Sequence, residues 1–176
     1  MTGDRLPTVA FCGFGRVGKD TAGKILRRKT PLKYSGSLSW AGLPYMADRL
    51  GLCPQDAWET RHERREEWKR MLDEFRADDA TKLIRMSLAL GQIVVGIRAK
   101  EELMAAKAAG ILDYTVWVHR AGTPEDTTVT YTWRDCDLVL FNNRGIREFE
   151  YQVDDLIEFL KLPKRPTELA APQQRG

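Results

Sequence analysis

A glycine-rich loop between a buried strand and a helix constrains the fold of this chain more than any other feature. The segment TVAFCGFGRVGKDTAGKILRR spans residues 8–28, and its first part predicts a short buried strand at 8–12. The loop GFGRVGK, at 13–19, matches the pattern G-x-x-x-x-G-K, and a helix is predicted at 19–28. Glycines let successive backbone N–H groups face one anion, and the helix adds its positive N-terminal end. The segment therefore predicts a phosphate-binding loop.

The side chains after the last glycine predict how this loop holds a nucleotide. Lys19 is expected to reach the β- and γ-phosphates of ATP. Asp20 stands where such loops usually carry Ser or Thr, and its carboxylate is a hard oxygen donor for Mg²⁺, directly or through water. The alternative role of Asp20 is to favour the first helical turn. The predicted ATP-binding residues in this segment are Gly13, Phe14, Gly15, Arg16, Val17, Gly18, Lys19, Asp20 and Thr21.

Strand and helix patterns alternate along the rest of the chain. Strands are predicted at 92–97, 113–118 and 137–142, and helices at 45–50, 58–77, 80–90, 99–110 and 147–161. A further strand near 128–133 is left open. Such alternation implies an α/β fold, with a parallel sheet covered by helices on both faces. The tail at 162–176 holds three prolines and little apolar content, so disorder is expected there.

Composition narrows the functional classes. A chain of 176 residues, 43% of them hydrophobic, has room for one domain with a helical insertion. No apolar run is long enough to span a bilayer and the first residues are too polar for a secretory signal, so we expect a cytoplasmic protein with no membrane partner. Three dispersed cysteines and two histidines make a zinc site unexpected. The basic residues within 1–33 suit phosphate-bearing ligands.

The chain resembles the deoxynucleoside monophosphate kinases of tailed phages, a branch of the P-loop nucleotide kinases. GKDT after the loop, IVVGIRAKEELMAAKAAGILDYTVWVHR and DLVLFNNRGIREFEYQVDDLIEFL carry the resemblance, which covers most of 8–160. It implies a P-loop kinase fold at 1–161, whose five-stranded parallel sheet has the loop strand at its centre. It also implies a helical acceptor-binding insertion at 30–90 and a lid-like loop at 119–135.

The resemblance implies a reaction in which Mg²⁺ assists transfer of the γ-phosphoryl group of ATP to a deoxynucleoside monophosphate, giving the diphosphate. Arg98 and Arg120 each follow a predicted strand and would lie at the carboxyl edge of the sheet, where they would stabilise charge on the moving phosphoryl group. The alternative for Arg98 is a surface ion pair with Glu101 or Glu102. Asn142, at the end of the last strand, would face the donor base or form a turn.

The helix predicted at 58–77 carries a basic and aromatic stripe. Arg61, Arg65 and Trp68 recur at helical spacing. Paired arginines suit a phosphate, and Trp68 is expected to stack on the base of the acceptor. Arg76 is a further substrate-binding candidate. The alternative is a solvated helix stabilised by Glu–Arg pairs.

One departure from the family keeps other functions open. Relatives commonly carry an acid near the position of Gly96, whereas this chain reads VVGIR. Either Asp20 carries more of the metal binding, or the acceptor differs from a free nucleotide. A second hypothesis is therefore a P-loop kinase that phosphorylates a 5-hydroxymethyl pyrimidine in phage DNA, with the base flipped out. A third is a nucleotide-binding module without turnover. A homodimer is left open, and the location would be the host cytoplasm if a phage encodes the chain.

Overall fold

The strand that leads into the phosphate loop lies at the centre of the sheet. In the computed structural model, which describes residues 5–165, β1 pairs in parallel with β3 and β4, and the full order is β2-β3-β1-β4-β5. This confirms the predicted α/β fold with a five-stranded parallel sheet. The strands are β1 (Val9–Cys12), β2 (Tyr34–Ser37), β3 (Ile93–Val95), β4 (Tyr114–His119) and β5 (Leu138–Phe141).

Helices cover both faces of the sheet, as predicted. Side chains of β1 alternate between the faces, with Val9 and Phe11 in one hydrophobic core and Ala10 and Cys12 in the other. Helices α1 and α8 pack on the first face, and α6 and α7 pack on the second. These helices are α1 (Lys19–Lys29), α6 (Lys82–Leu88), α7 (Lys100–Ala108) and α8 (Ile146–Phe159). No helix within residues 5–165 combines the length and hydropathy needed to cross a membrane.

Four further helices lie between β2 and β3 and form most of the predicted insertion. They are α2 (Leu38–Ala41), α3 (Leu43–Leu50), α4 (Pro54–Thr60) and α5 (Arg65–Phe75). Helices α3, α4 and α5 share a separate core, formed by Leu43, Met46, Ala47, Ala57, Trp68 and Met71. The insertion therefore has its own apolar centre beside the two cores of the sheet.

The prediction of a single helix at 58–77 is wrong, because the structure has two helices there, α4 and α5. Helix α4 ends at Thr60, and Arg64 has φ −107° and ψ +29° before α5 begins. Side chains stabilise the end of α4, because Thr60 Oγ1 donates to the Asp56 carbonyl and Arg61 Nη1 donates to the Trp58 carbonyl. The break removes Arg61 from the helical stripe on which the prediction rested.

Strand β2 was missed by the sequence pattern, and the open strand near 128–133 does not form. The β2 sequence YSGS has no β-branched residue, and its pairing comes from tertiary contacts such as the hydrogen bond from Ser35 Oγ to the Ile93 carbonyl, 2.8 Å. In the second region the chain instead forms a short 3₁₀-helix, Trp133–Asp135, closed by a capping box between Thr132 and Asp135.

The packed chain continues beyond the predicted domain end at 161. Leu162 is buried in the core shared by α1 and α8. The Arg165 backbone N–H donates to the Lys29 carbonyl at 2.9 Å, and its Nε donates to the Thr30 carbonyl at 2.6 Å. The rest of the predicted disordered tail, 166–176, lies outside the described residues.

Candidate phosphate-binding site

The loop after β1 is held in a tight turn by contacts with two other strands. Gly13 has φ +130°, and a Cβ added there would lie 2.6 Å from the Val118 carbonyl oxygen. Gly18 has φ +106°, and its Cβ would lie 2.5 Å from Asn142 Nδ2. Only glycine avoids both the steric clash and the strain at these positions. Arg16 has φ +62°, a conformation that costs energy for a residue with a side chain and is found preferentially at functional sites.

The apolar side chains of the loop pack inward, against the cores of the sheet. Val17 is buried in the core, and Phe14 packs edge-on against Trp117 with ring centroids 5.2 Å apart. Gly18 is the N-cap of α1 and supplies no side chain to its first-turn N–H groups. Because a helix N-terminus attracts anions, a phosphate bound at the start of α1 would meet backbone N–H groups rather than the buried Val17 side chain.

Lys19 folds back over the loop. Its Nζ donates to the Gly13 carbonyl at 2.8 Å and also to the Phe14 carbonyl. Burial, and after it the positive charge of Arg98, lowers the pKa of Lys19 to about 8. Lys19 takes part in none of the ion pairs formed by residues 5–165, so its charge is desolvated without a carboxylate in contact. A bound phosphate would supply the missing negative charge.

Arg98 lies at the same edge of the sheet and pairs with a carboxylate from the loop at 119–135, which the sequence predicts to be lid-like. Its Nη1 donates to Asp126 Oδ2 at 3.0 Å and also to Thr128 Oγ1. The sequence had offered Glu101 or Glu102 as ion-pair partners, and the structure gives Asp126 instead. Burial alone would raise the pKa of Asp126, but hydrogen bonds from Thr128 and Arg98 outweigh it and hold that pKa at about 2. The carboxylate is therefore ionised at neutral pH.

Arg120 and Asn142 follow β4 and β5 and complete this edge of the sheet. Arg120 is exposed, directly after β4, as its predicted position requires. Asn142 Nδ2 donates to the Val17 carbonyl at 2.9 Å, and its backbone N–H donates to the His119 carbonyl at 2.7 Å. The Asn142 amide thus supports the phosphate loop, and its role toward the donor base stays a prediction.

Asp20 offers one carboxylate for a magnesium ion. It lies exposed in the first turn of α1, and its Oδ1 accepts a hydrogen bond from the Tyr34 hydroxyl at 2.6 Å. Burial and this hydrogen bond raise the pKa of Tyr34. Residues 5–165 contain no cluster of three acidic, His or Cys side chains for a metal. One carboxylate fits a Mg²⁺ ion whose other ligands are phosphates and waters.

The missing acid after β3 has a backbone explanation. Gly96 has φ +94°, and a Cβ added there would lie 3.3 Å from the Leu38 backbone nitrogen. An aspartate or glutamate at this position would be strained and crowded. The backbone of this chain at position 96 therefore favours glycine over the carboxylate that the resemblance led us to expect.

The structure separates the predicted substrate-binding residues of the insertion. Arg61 stacks on the Trp58 ring, with its guanidinium carbon 3.8 Å from the ring centroid. Arg65, at the start of α5, points its Nη2 to within 3.9 Å of Asp126 Oδ1. Of the arginines in the predicted stripe, Arg65 is thus the one near the phosphate loop, whereas Arg61 packs within the insertion.

Trp68 and Arg76 have structural contacts. Trp68 is only 5% exposed in the core of the insertion, so the predicted stacking of its ring on a base is wrong. Arg76 Nη1 donates to Glu102 Oε2 at 2.9 Å, and Arg76 also pairs with Asp73. Glu102 is 1% exposed, and burial raises its pKa to about 7 despite the nearby guanidinium. Arg76 therefore anchors α5 to the start of α7.

Three solved structures are similar to this chain over most of its length. A shikimate kinase from Bacteroides thetaiotaomicron has a TM-score of 0.47 at 13% identity and covers 90% of this chain and 100% of its own. A sugar kinase from Janibacter sp. HTCC2649 has a TM-score of 0.49 at 14% identity and covers 90% of this chain and 96% of its own. The APS kinase CysC of Mycobacterium tuberculosis, solved as a Cys556Ala mutant, has a TM-score of 0.47 at 17% identity and covers 89% of this chain and 98% of its own. No protein-family model and no curated protein sequence matches this chain. These likenesses assign no substrate.

Sequence reasoning missed one carboxylate that lies beside the loop, that of Asp126. Asp126 Oδ2 would be 3.3 Å from a Cβ added to Gly15. The local sequence did hold a signal, because an Asp two residues before a Thr favours a side-chain-capped turn, and here Thr128 N donates to Asp126 Oδ1 at 3.1 Å. That signal predicts a turn but gives no indication that the turn lies above a loop more than one hundred residues earlier in the chain.

Proposed function

We propose that this chain is an ATP-dependent phosphotransferase that moves the γ-phosphoryl group of ATP to a deoxynucleoside monophosphate. The observation that carries the proposal is Lys19, a half-buried cation with no carboxylate in contact, folded over a strained loop at an open helix N-terminus. That combination suits a polyphosphate better than any neutral ligand.

On the donor side, each residue has a role that its position supports. Lys19 exchanges the Gly13 and Phe14 carbonyls for phosphate oxygens, and its positive charge is reinforced when the anion arrives. Asp20 holds Mg²⁺, which when bound neutralises charge on the phosphates. Arg98 and Arg120, after β3 and β4, stabilise the negative charge of the phosphoryl group in the transition state of transfer.

On the acceptor side, the helical insertion next to the sheet edge selects the nucleotide. Arg65 is the best-placed residue for the acceptor phosphate, because its guanidinium lies beside Asp126 above the loop. The buried Trp68 leaves the base to other residues of the insertion. The lid-like loop at 119–135, which carries Asp126, excludes water from the transfer.

One surface feature favours phosphorylation of a base in DNA as the second candidate. Lys24, Arg27, Arg28 and Arg165 line a pocket of about 340 Å³ beside α1. Arg28 also pairs with Glu150 at 2.5 Å. A group of cations along one helix is suited to a nucleic-acid backbone, whose binding weakens as salt is raised.

A phosphate-transfer assay separates the candidates. The protein is incubated with γ-labelled ATP and Mg²⁺, in parallel with each deoxynucleoside monophosphate and with duplex and single-stranded DNA carrying 5-hydroxymethyl pyrimidines. Label in a diphosphate supports the proposal, and label in DNA supports the second candidate. ATP binding without transfer to any acceptor would leave a nucleotide-binding module without turnover.

Lys19→Ala is the matched test of the loop, with Lys33→Ala as its control. Lys33 is exposed and lies beyond the end of α1. We expect Lys19→Ala to lower the transfer rate roughly 100-fold or more, because it removes a preorganised charge from the site of transfer. Lys33→Ala should keep the wild-type rate. Equal rates for Lys19→Ala and the wild type would remove the basis of the proposal.

A further inference from the structure

A carboxylate lies directly above the phosphate loop. Asp126 comes from the lid-like loop, and its Oδ2 would be 3.3 Å from a Cβ on Gly15, in the middle of the glycine-rich turn. Its side chain is 13% exposed. An anion in this place is unexpected, because everything else about the turn favours binding of a negatively charged ligand from outside.

Asp126 is held there by groups on three parts of the chain. Thr128 donates its backbone N–H to Oδ1 at 3.1 Å and its hydroxyl to the same oxygen at 2.5 Å. Arg98, after β3, donates to Oδ2 at 3.0 Å. Arg65, at the start of α5, has its Nη2 3.9 Å from Oδ1. Both carboxylate oxygens are therefore engaged, and two arginines are directed at one negative charge.

The segment that carries Asp126 is tied to the end of β3. The Thr130 N–H donates to the Arg98 carbonyl at 2.9 Å, and the Lys100 N–H donates to Thr130 Oγ1 at 2.8 Å. These bonds fix the backbone beside Arg98 without involving the Asp126 carboxylate. The ion pair between Asp126 and Arg98 can therefore break while the loop that carries Asp126 stays bonded to the end of β3.

A phosphate on the loop and the Asp126 carboxylate compete for the same cations. A phosphoryl group held by Lys19 brings negative charge next to the Asp126 side chain, and like charges in a half-buried site repel. Arg98 has a planar guanidinium whose fork suits either a carboxylate or a phosphate. In the structure, the Arg98 guanidinium is thus paired with Asp126, although a phosphate of ATP would need the same N–H groups.

Building on the proposed function, we propose that Asp126 is a positioning residue that holds Arg98 over the loop and is displaced from it by a phosphate of ATP. The Arg98 guanidinium exchanges the Asp126 carboxylate for the phosphoryl group, so nucleotide binding includes the breaking of an internal ion pair. The aspartate keeps the arginine correctly placed at the cost of weaker nucleotide binding.

Asp126→Asn tests this by the sign of its effect on affinity. Its amide oxygen still accepts from Thr128, so the turn is kept, while the negative charge is removed. Calorimetric titration with ATP should show a dissociation constant roughly three- to tenfold lower than for the wild type, as expected for removal of one opposing charge from a partly buried site. Glu125→Gln is the control, because Glu125 is the exposed neighbour on the same loop. It should bind ATP as the wild type does.

Two further arms separate the proposal from other roles of Asp126. Titrations with Mg²⁺ and with a chelator should both show the tighter binding, whereas weaker binding confined to Mg²⁺ would identify Asp126 as a metal ligand and overturn the proposal. The gain in ATP affinity from Asp126→Asn should be smaller in an Arg98→Ala background, because the guanidinium that would change partners is absent. An equal gain in both backgrounds, or no gain in either, would also overturn it. If the wild type and Glu125→Gln bind no ATP at all, the proposed function fails instead.

Discussion

Glu102 shows how one buried side chain can make the stability of this protein depend on pH. It is 1% exposed and pairs with Arg76 at 2.9 Å, yet burial outweighs the guanidinium and raises its pKa to about 7. The folded protein therefore keeps a proton on Glu102 between its ordinary pKa of 4.5 and about 7, where the unfolded chain has already lost it. Consequently the free energy of unfolding falls as the pH rises through this window.

Glu102→Gln should remove this contribution. We expect the free energy of unfolding of the wild type, measured relative to Glu102→Gln, to fall by on the order of 3 kcal/mol between pH 4.5 and pH 8. Urea denaturation of both proteins at several pH values measures the difference. Glu101→Gln is the control, because Glu101 is the exposed neighbour on the same helix. A difference between wild type and Glu102→Gln that does not change with pH would show that Arg76 keeps Glu102 ionised.

The helices of the insertion depend on Trp68 for packing. Its indole lies in the core shared with Met46 and Met71, and its Nε1–H has no acceptor among residues 5–165. Trp68→Ala should lower the free energy of unfolding by roughly 3–5 kcal/mol, whereas Trp68→Phe keeps most of the apolar volume and should cost about 1 kcal/mol.

Chemical denaturation of the two Trp68 variants and of Trp133→Ala measures these costs. Trp133 is 51% exposed, so its removal should change stability little. If Trp68→Ala were as stable as the wild type but bound its acceptor more weakly, the original interpretation of Trp68 as a base-stacking residue would return.

The elements that the sequence predicted well are those whose pattern is local. The strand, loop and helix at 8–28 carry their signals in adjacent residues, and β3, β4, α7 and α8 lie within a few residues of their predicted ranges. The break after Thr60 was missed because the charged residues around it favour a helix on both sides. Strand β2 was missed because it forms only against β3, through contacts such as Ser35 with the Ile93 carbonyl.

For the whole molecule, the parallel sheet explains why residues far apart in sequence could be placed at one edge. Lys19, Arg98 and Arg120 each follow a strand, and the carboxyl ends of parallel strands meet at the same edge. The contact between Arg98 and Asp126 could not be predicted in this way, because Asp126 lies on a loop, 28 residues further along the chain. Strand order gives the position of strand ends, but not how a loop folds over them.

The sequence ended the predicted domain at 161, where the last predicted helix ends and a segment with three prolines and little apolar content begins. Leu162 is 5% exposed and packs in the core of α1 and α8, whereas Phe159, at the end of α8, is 71% exposed. Leu162→Ala should therefore lower the free energy of unfolding by about 2–3 kcal/mol, and Phe159→Ala by less than about 0.5 kcal/mol. Thermal and urea denaturation of both variants measure the difference. Equal stabilities would place the end of the folded domain at 161, whereas the expected loss for Leu162→Ala would show that the chain after α8 closes the core beneath the helix that begins at Lys19.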